Sequence, residues 1–356
     1  MFSVIIPTFN RAGIVAEALD SIKAQTYRPV EVVVVDDGST DATAEVVTAW
    51  TRRNADGSAL SLRYVYQDNA GPGAARNRGI AEVRGEYVQF LDSDDRLHPE
   101  RLARLAEVFE ETGAEFIQTG FERFCSECGE VFETHYGNPR EDQFELALRG
   151  RLGANTLRCA LRRSLVERSP RWDEEMTCFE DYKYVVGALA RSEKSLALRD
   201  VLASARRGGN SCVSDRLRTR EGRGFRIRCE EELATSICLR RNVDPEAVRQ
   251  FASRLYGLAF RSAASGWPDL ARRCGALADS LDVPLDAVGR RRRAVYRLGP
   301  WAARLYEAAA SVKARLQGTT QSATHRCPRD GVKGRCALDL TRSHTSGFAL
   351  SEVRCQ

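Results

Sequence analysis

Val30-Glu-Val-Val-Val-Val-Asp-Asp-Gly-Ser-Thr-Asp41 is a β-branched run, broken only by Glu31, that ends abruptly in acidic and turn-forming residues. Such a run fits a strand covered on both faces, which is what a parallel sheet requires. Ser3–Phe9 reads the same way, and Leu62–Gln67 and Tyr87–Leu91 are two further strands. Helical patterns fall between and after them, at Gly13–Gln25, Ala42–Arg53, Gly73–Val83 and Pro99–Thr112. Strand and helix alternating at this spacing predict an α/β fold with a mostly parallel sheet and right-handed crossovers.

Beyond residue 115 the pattern loosens. Phe116–Phe124 and Glu130–His135 flank Cys125-Ser-Glu-Cys-Gly129 and predict a hairpin. Asn155–Arg163 reads as a strand, Asp181–Ala190 as a helix and Ser195–Ala205 as a strand. From about Thr219 the pattern is helical, over Gly222–Leu239, Pro245–Ala264 and Leu270–Leu281, with a last helix at Pro300–Leu316. We therefore place a boundary near residue 215, a helical region over 216–317, and a disordered tail over 318–356 that is rich in Thr, Ser, Gly, Arg and Cys.

The chain has 356 residues, 43% of them hydrophobic, enough for a large core. Its net charge of +5 is uneven: residues 285–318 carry +6, residues 319–356 carry +3, and the first 284 carry −4. A nucleic-acid binder would spread its basic charge differently, so nucleic acid is not an expected partner. No apolar run reaches the roughly 20 residues of a membrane span. The start, Met1-Phe2-Ser3-Val4, has no basic segment or cleavage site. The eleven cysteines therefore read as free thiols of a cytoplasmic protein. Cys125 and Cys128 alone, with no second pair nearby, do not make a zinc site.

In an open α/β sheet, ligands sit beyond the carboxyl ends of the strands. Four polar clusters fall there: Pro7-Thr8-Phe9-Asn10-Arg11, Asp36-Asp37-Gly38-Ser39-Thr40-Asp41, the Asn69–Asn77 stretch with Gly71, Gly73 and Arg76, and Asp92-Ser93-Asp94-Asp95. One acidic strand end is ordinary helix capping, but four in succession argue for a site. Alternate carboxylates in the last cluster could surround a hard divalent cation, Mg²⁺ or Mn²⁺, with the other ligands drawn from phosphate and water.

These stretches, with Gly73-Ala-Ala-Arg-Asn-Arg-Gly79 and Phe90-Leu-Asp-Ser-Asp-Asp95, resemble the family 2 glycosyltransferases over roughly residues 1–215. The resemblance implies the GT-A fold and a nucleotide-diphosphate sugar donor, with a UDP-sugar as the default. It implies that Thr8 and Asp37 contact the nucleobase, Pro7, Asn10 and Ser93 line the nucleotide-sugar site, and Asp92 holds the ribose. It further implies that Asp94 ligates the metal, that Arg76 lies beside the nucleotide, and that Arg206 and Arg207 neutralise phosphate. The acidic pair Glu180-Asp181 is similar to the family's acidic pair on a later helix, which implies Asp181 as general base. Independently, inverting transfer needs one carboxylate near the acceptor oxygen.

The segment Ala205-Arg-Arg-Gly-Gly-Asn-Ser211 departs from the family pattern by lacking a histidine. No dinucleotide fingerprint or P-loop is present. Gln250-Phe-Ala-Ser-Arg254 has the wrong spacing for the processive synthases' motif, so one sugar per encounter is expected. The expected acceptor is a saccharide or lipid-linked hydroxyl in cell-surface polysaccharide or glycolipid synthesis. The alternative is a non-catalytic sugar-nucleotide binder or scaffold. Finally, Arg290–Arg293 ahead of Trp301, Leu305, Ala309, Val312 and Leu316 reads as a basic amphipathic helix. It would contact an anionic membrane peripherally, on the inner face of the plasma membrane, or pack its apolar stripe on the helical region with the arginines solvated.

Overall fold

The structure, a computed structural model, describes residues 1–54, 59–207, 219–240 and 242–299, with the backbone of 322–325 and 338–341. The chain divides into two compact units, Met1–Gln143 with Ala154–Gly208, and Phe144–Gly153 with Gly209–Gln356.

The first unit contains β1 (Phe2–Thr8), α1 (Val15–Lys23), β2 (Val30–Asp37), α2 (Thr43–Arg53), β3 (Leu60–Gln67), α3 (Pro72–Glu82) and β4 (Tyr87–Phe90). It continues with β5 (Arg96–Leu97), α4 (Arg101–Thr112), β6 (Phe116–Cys125) and β7 (Val131–His135). After α5 (Gln143–Leu148) come β8 (Cys159–Arg162), α6 (Arg163–Arg168), α7 (Glu180–Arg191) and β9 (Ser195–Arg207). The sheet runs β3-β2-β1-β4-β8-β6-β9-β5, with β7 paired to β6. Strands β1 to β4 are parallel as expected. The sheet then becomes mixed, because β8 enters antiparallel between β4 and β6.

Alternation along β2 explains why it is apolar throughout. Val32 and Val34 pack with Leu19, Ile22, Val47 and Trp50 on one face, and Val33 and Val35 with Val65 and Ala75 on the other. Helix α3 approaches β1 so closely that a Cβ at Gly79 would lie 2.4 Å from Ile5 Cγ2. The chain leaves β1 for β2 on one side, while β4 pairs on the other, so the strand order reverses at β1. That reversal opens a crevice at the carboxyl ends of β1 and β4.

The expected strand Asn155–Arg163 is instead a 3₁₀ turn, Thr156–Arg158, followed by β8 and α6. Asn155 starts the turn by accepting the Leu157 amide at 2.9 Å. Segment Phe144–Gly153, which the sequence reading left in the first domain, belongs to the helical unit. Arg254 donates to the Ala147 carbonyl at 3.1 Å, and Arg149 bonds Asp244.

The helical unit holds α8 (Arg220–Ile237), α9 (Pro245–Ala264), α10 (Pro268–Ser280) and α11 (Ala287–Arg297). Side chains of Thr219, Asp244 and Asp286 cap α8, α9 and α11. Buried Glu230 is held by Arg226 and Arg254, each at 2.6 Å. The four arginines expected to precede a helix are inside one. Arg290 and Arg292 donate to the Leu285 and Ser253 carbonyls, and Arg293 pairs with Asp279 at 2.7 Å. Tyr296 and Val295 pack on Phe260, Ala263 and Ala271.

The expected helix Pro300–Leu316 lies outside the described residues. In the segment read as disordered, β10 (Ser322–His325) and β11 (Leu338–Thr341) pair antiparallel. Among the described residues no helix is long and apolar enough to cross a membrane.

Candidate active site

Strand register aligns the acidic strand ends: Thr8 lies opposite Asp36, and Asp37 opposite Gln67. Asn10 sits at a φ of 51° and accepts from the Thr40 amide at 2.8 Å, while its own amide donates to Ser39 Oγ at 2.9 Å. The loops after β1 and β2 are thereby tied into one rim. Asp37 Oδ1 accepts from Gln67 Nε2 at 2.7 Å and the Ala70 amide at 2.9 Å, and Oδ2 accepts from the Gly71 amide at 2.8 Å. It therefore fixes the glycine-bearing turn that opens α3. Thr8 is buried beside this rim, and its Oγ1 has no hydrogen-bond partner. Pro7, opposite Val35, is the residue before it on β1.

The centre of the site is Arg76 of α3, with only 5% of its side chain exposed. Its Nη2 donates to Asp92 Oδ1 at 2.8 Å and stands 3.6 Å from Asp181 Oδ1, and its Nη1 stands 3.6 Å from Glu180 Oε1. One cation thus joins the acidic end of β4 to the first turn of α7. Burial works against the guanidinium charge, but Asp92, Asp181 and Glu180 outweigh it and hold it protonated.

Asp181 is pushed up to about 7. Desolvation is the largest cause, Arg76 opposes it, and the neighbouring charges of Glu180 and Asp92 add to it. Its Oδ2 faces the Thr156 amide and hydroxyl at 3.5 and 3.4 Å, while its Oδ1 accepts no hydrogen bond. A carboxylate poised near neutrality and partly open to solvent is suited to taking a proton.

In the Asp92–Asp95 turn, Ser93 and Asp95 are buried, and Asp95 accepts from the Arg206 amide at 2.9 Å. Asp94 is half-open, with Arg11 at 4.0 Å as its nearest cation. Burial, then the Asp92 charge, raises the Asp94 carboxyl above its ordinary range. This donor set fits a divalent cation bound through one protein carboxylate. Among the described residues no group of three or more His, Cys, Asp and Glu could hold an ion unaided. The remaining ligands would therefore be diphosphate oxygens and water.

The two arginines of β9 separate. Arg206 donates to Glu17 Oε2 at 2.6 Å and to the Asp94 carbonyl at 3.0 Å, and it stacks 4.8 Å from the Phe124 ring centroid. Its task is to hold the Asp92–Asp95 turn against α1. Arg207 is exposed at the end of β9. Residues 208–211, the rest of that expected loop, lie outside the described residues.

Sequence reasoning missed Trp172, whose ring lies 4.5 Å from the Arg76 guanidinium. Asn77 closes the third polar cluster of the sequence, but its task was not legible there: its side-chain amide bonds both the amide and the carbonyl of Trp172, at 2.9 and 3.0 Å. The only signal was a lone tryptophan among charged residues, eight positions ahead of Glu180.

Residues 3–169 match the family described as Glycosyl transferase family 2. An uncharacterized glycosyltransferase of Nostoc sp. is 42% identical over 108 residues, 30% of this chain and 32% of that protein. An uncharacterized glycosyltransferase of Rickettsia felis is 35% identical over 135 residues, 38% of this chain and 21% of that protein. The chain thus spans less than two thirds of the length of these relatives. Among solved structures, S. aureus TarS 1–349 in complex with UDP-GlcNAc superposes with a TM-score of 0.62 at 19% identity, covering 91% of this chain and 94% of that one. At that identity the likeness is one of fold, a mixed sheet flanked by helices with a helical C-terminal region. The family match and the architecture identify residues 3–169 as a family 2 glycosyltransferase domain of GT-A fold.

Proposed function

We propose that the chain is an inverting, metal-dependent, non-processive glycosyltransferase that moves one sugar from a nucleotide-diphosphate sugar to an acceptor hydroxyl. The observation that carries this reading is the single Arg76 guanidinium shared by Asp92, on the donor side, and Asp181, on the acceptor side. The acceptor hydroxyl passes its proton to the Asp181 carboxylate. Its oxygen bonds to the anomeric carbon as the bond to the diphosphate breaks on the opposite face, which inverts the centre. Asp94 would hold a divalent cation, which when bound would supply charge neutralisation for the departing diphosphate. Arg207, exposed at the end of β9, would add positive charge there. Thr8 and Asp37 would frame the nucleobase, and Asp92 the ribose.

A UDP-sugar is the first donor to test. The acceptor is a saccharide or a lipid-linked hydroxyl, with the basic C-terminal region making peripheral contact with an anionic membrane. Because Arg290, Arg292, Arg293 and Arg297 bond within the helical unit, the basic residues beyond 299 would carry most of that contact.

A panel of nucleotide sugars tests the reading by thermal shift and by release of nucleoside diphosphate, each with Mn²⁺, Mg²⁺ or chelator. Metal-dependent stabilisation and release by one donor is expected. Stabilisation with no release under any acceptor condition would favour the non-catalytic binder.

A further inference from the structure

Three side chains from separate parts of the chain form one layered stack. The Arg76 guanidinium lies 4.5 Å from the Trp172 ring centroid. The Trp172 ring in turn stacks on Tyr184 of α7, with centroids 4.3 Å apart and planes 8° from parallel. Phe90 of β4 meets both rings edge-on, at 5.3 and 5.5 Å. All four side chains are buried. The backbone of Trp172 is held independently, because Asn77, next to Arg76 on α3, bonds both its amide and its carbonyl.

A guanidinium is planar, delocalised and weakly hydrated, so an aromatic face can hold it without neutralising it. That matters here because Arg76 makes only one close hydrogen bond to a carboxylate, to Asp92. Asp181 and Glu180 stand at 3.6 Å, too far to fix its plane, and Arg76 Nε and Nη1 have no hydrogen-bond partner. Hydrogen bonding alone would let the guanidinium swing towards Asp92 and leave Asp181.

We propose that Trp172 is a positioning residue: by stacking on Arg76 it holds one cation between Asp92 and Asp181, so that the acidic end of β4 and the proton acceptor of α7 share it. The proposal rests on the reading of Asp181 as the base, and it adds what sets that base's affinity for protons. The charged, titratable and polar groups facing Asp181 are Arg76 from α3, Glu180 from its own helix, Asp92 from the β4 turn, Thr156 from the 3₁₀ turn and the neutral Cys159 thiol of β8. Arg76 is the one cation among them, and it stabilises the carboxylate. Loosening Arg76 therefore makes Asp181 hold its proton to higher pH.

The test needs no donor. The Asp181 carboxyl is titrated by infrared difference spectroscopy in the full chain, with Asp181→Asn as the subtraction reference. Arg76→Gln should raise the midpoint by more than about one pH unit, the size expected for loss of an adjacent opposite charge. Trp172→Leu should raise it in the same direction, and Trp172→Phe, which keeps an aromatic face, should leave it near wild type. Arg76→Lys keeps the charge but not the plane, and it should fall between Arg76→Gln and wild type. Circular dichroism confirms folding of each variant, and Trp172→Met, which fills more of the space without an aromatic face, takes the place of Trp172→Leu if that variant fails to fold. An unchanged midpoint in Arg76→Gln, or equal midpoints for Trp172→Leu and Trp172→Phe, overturns the proposal. Failure of the base assignment would look different: Asp181→Asn would transfer sugar normally, whatever the midpoints.

Discussion

Replacing Asp181 by Asn should make the protein more stable at pH 8, and the gain should disappear in acid. In the unfolded chain this carboxyl titrates near its ordinary 3.8, whereas in the fold it keeps its proton to about 7. Between those values the folded state binds more protons than the unfolded state. Raising the pH across this window therefore costs the wild-type protein stability. The full gap corresponds to at most ~4 kcal/mol. Asn recovers only part of it, because Arg76 loses one of three carboxylate neighbours, so we expect a gain of about 1–2 kcal/mol at pH 8. Below pH ~4 the wild-type carboxyl is neutral in both states, and the gain should vanish. Chemical denaturation of both proteins at pH 8, 6 and 4 reads this directly. A variant that is less stable at pH 8, or a difference that does not change with pH, would refute the account of the partly buried carboxylate.

Other outcomes follow from the same geometry. Asp94→Asn should keep the fold but lose metal-dependent affinity for the donor that the panel identifies, measured by calorimetry, and undiminished affinity would move the metal ligand elsewhere. Turnover should fall about tenfold per pH unit below pH ~7, as Asp181 gains its proton; a flat profile from pH 5 to 8 would exclude that control. In the helical unit, Glu230→Gln should destabilise by ~3–5 kcal/mol, because Arg226 and Arg254 lose the carboxylate between them. Full-length protein should sediment with anionic but not neutral vesicles, and a chain ending at Gly299, which retains the packed α11, should not. Equal behaviour of the two would assign the basic charge to packing.

Much of the first unit was legible because its strands are β-branched runs ending in turn-forming residues. The run Val30–Val35 announces its own burial, and the clusters after β1, β2 and β4 had to fall at one edge of a parallel sheet. Glu180 and Asp181 do open α7, as the sequence indicated. The long-range contacts were not legible. Nothing in the spacing of Arg76, Asp92, Trp172 and Asp181 says that one guanidinium lies among them. Arg206 read as a phosphate ligand because it is an arginine near a glycine pair, but Glu17 and the Asp94 carbonyl engage it. Asn155–Arg163 read as a strand because its apolar content does not distinguish a capped turn from extended backbone. Arg290–Arg293 read as a charge cluster ahead of a helix, whereas α11 spaces those side chains so that three bond within the unit while Val295 and Tyr296 face the core.

The most direct test of the central claim is single-turnover transfer by Asp181→Asn beside wild type, at saturating donor and metal, with the product's anomeric configuration read by NMR. The account predicts inversion by the wild type, normal donor binding by the variant, and a rate lower by about 10²–10⁴. Retention of configuration, or transfer by the variant near the wild-type rate, would contradict it.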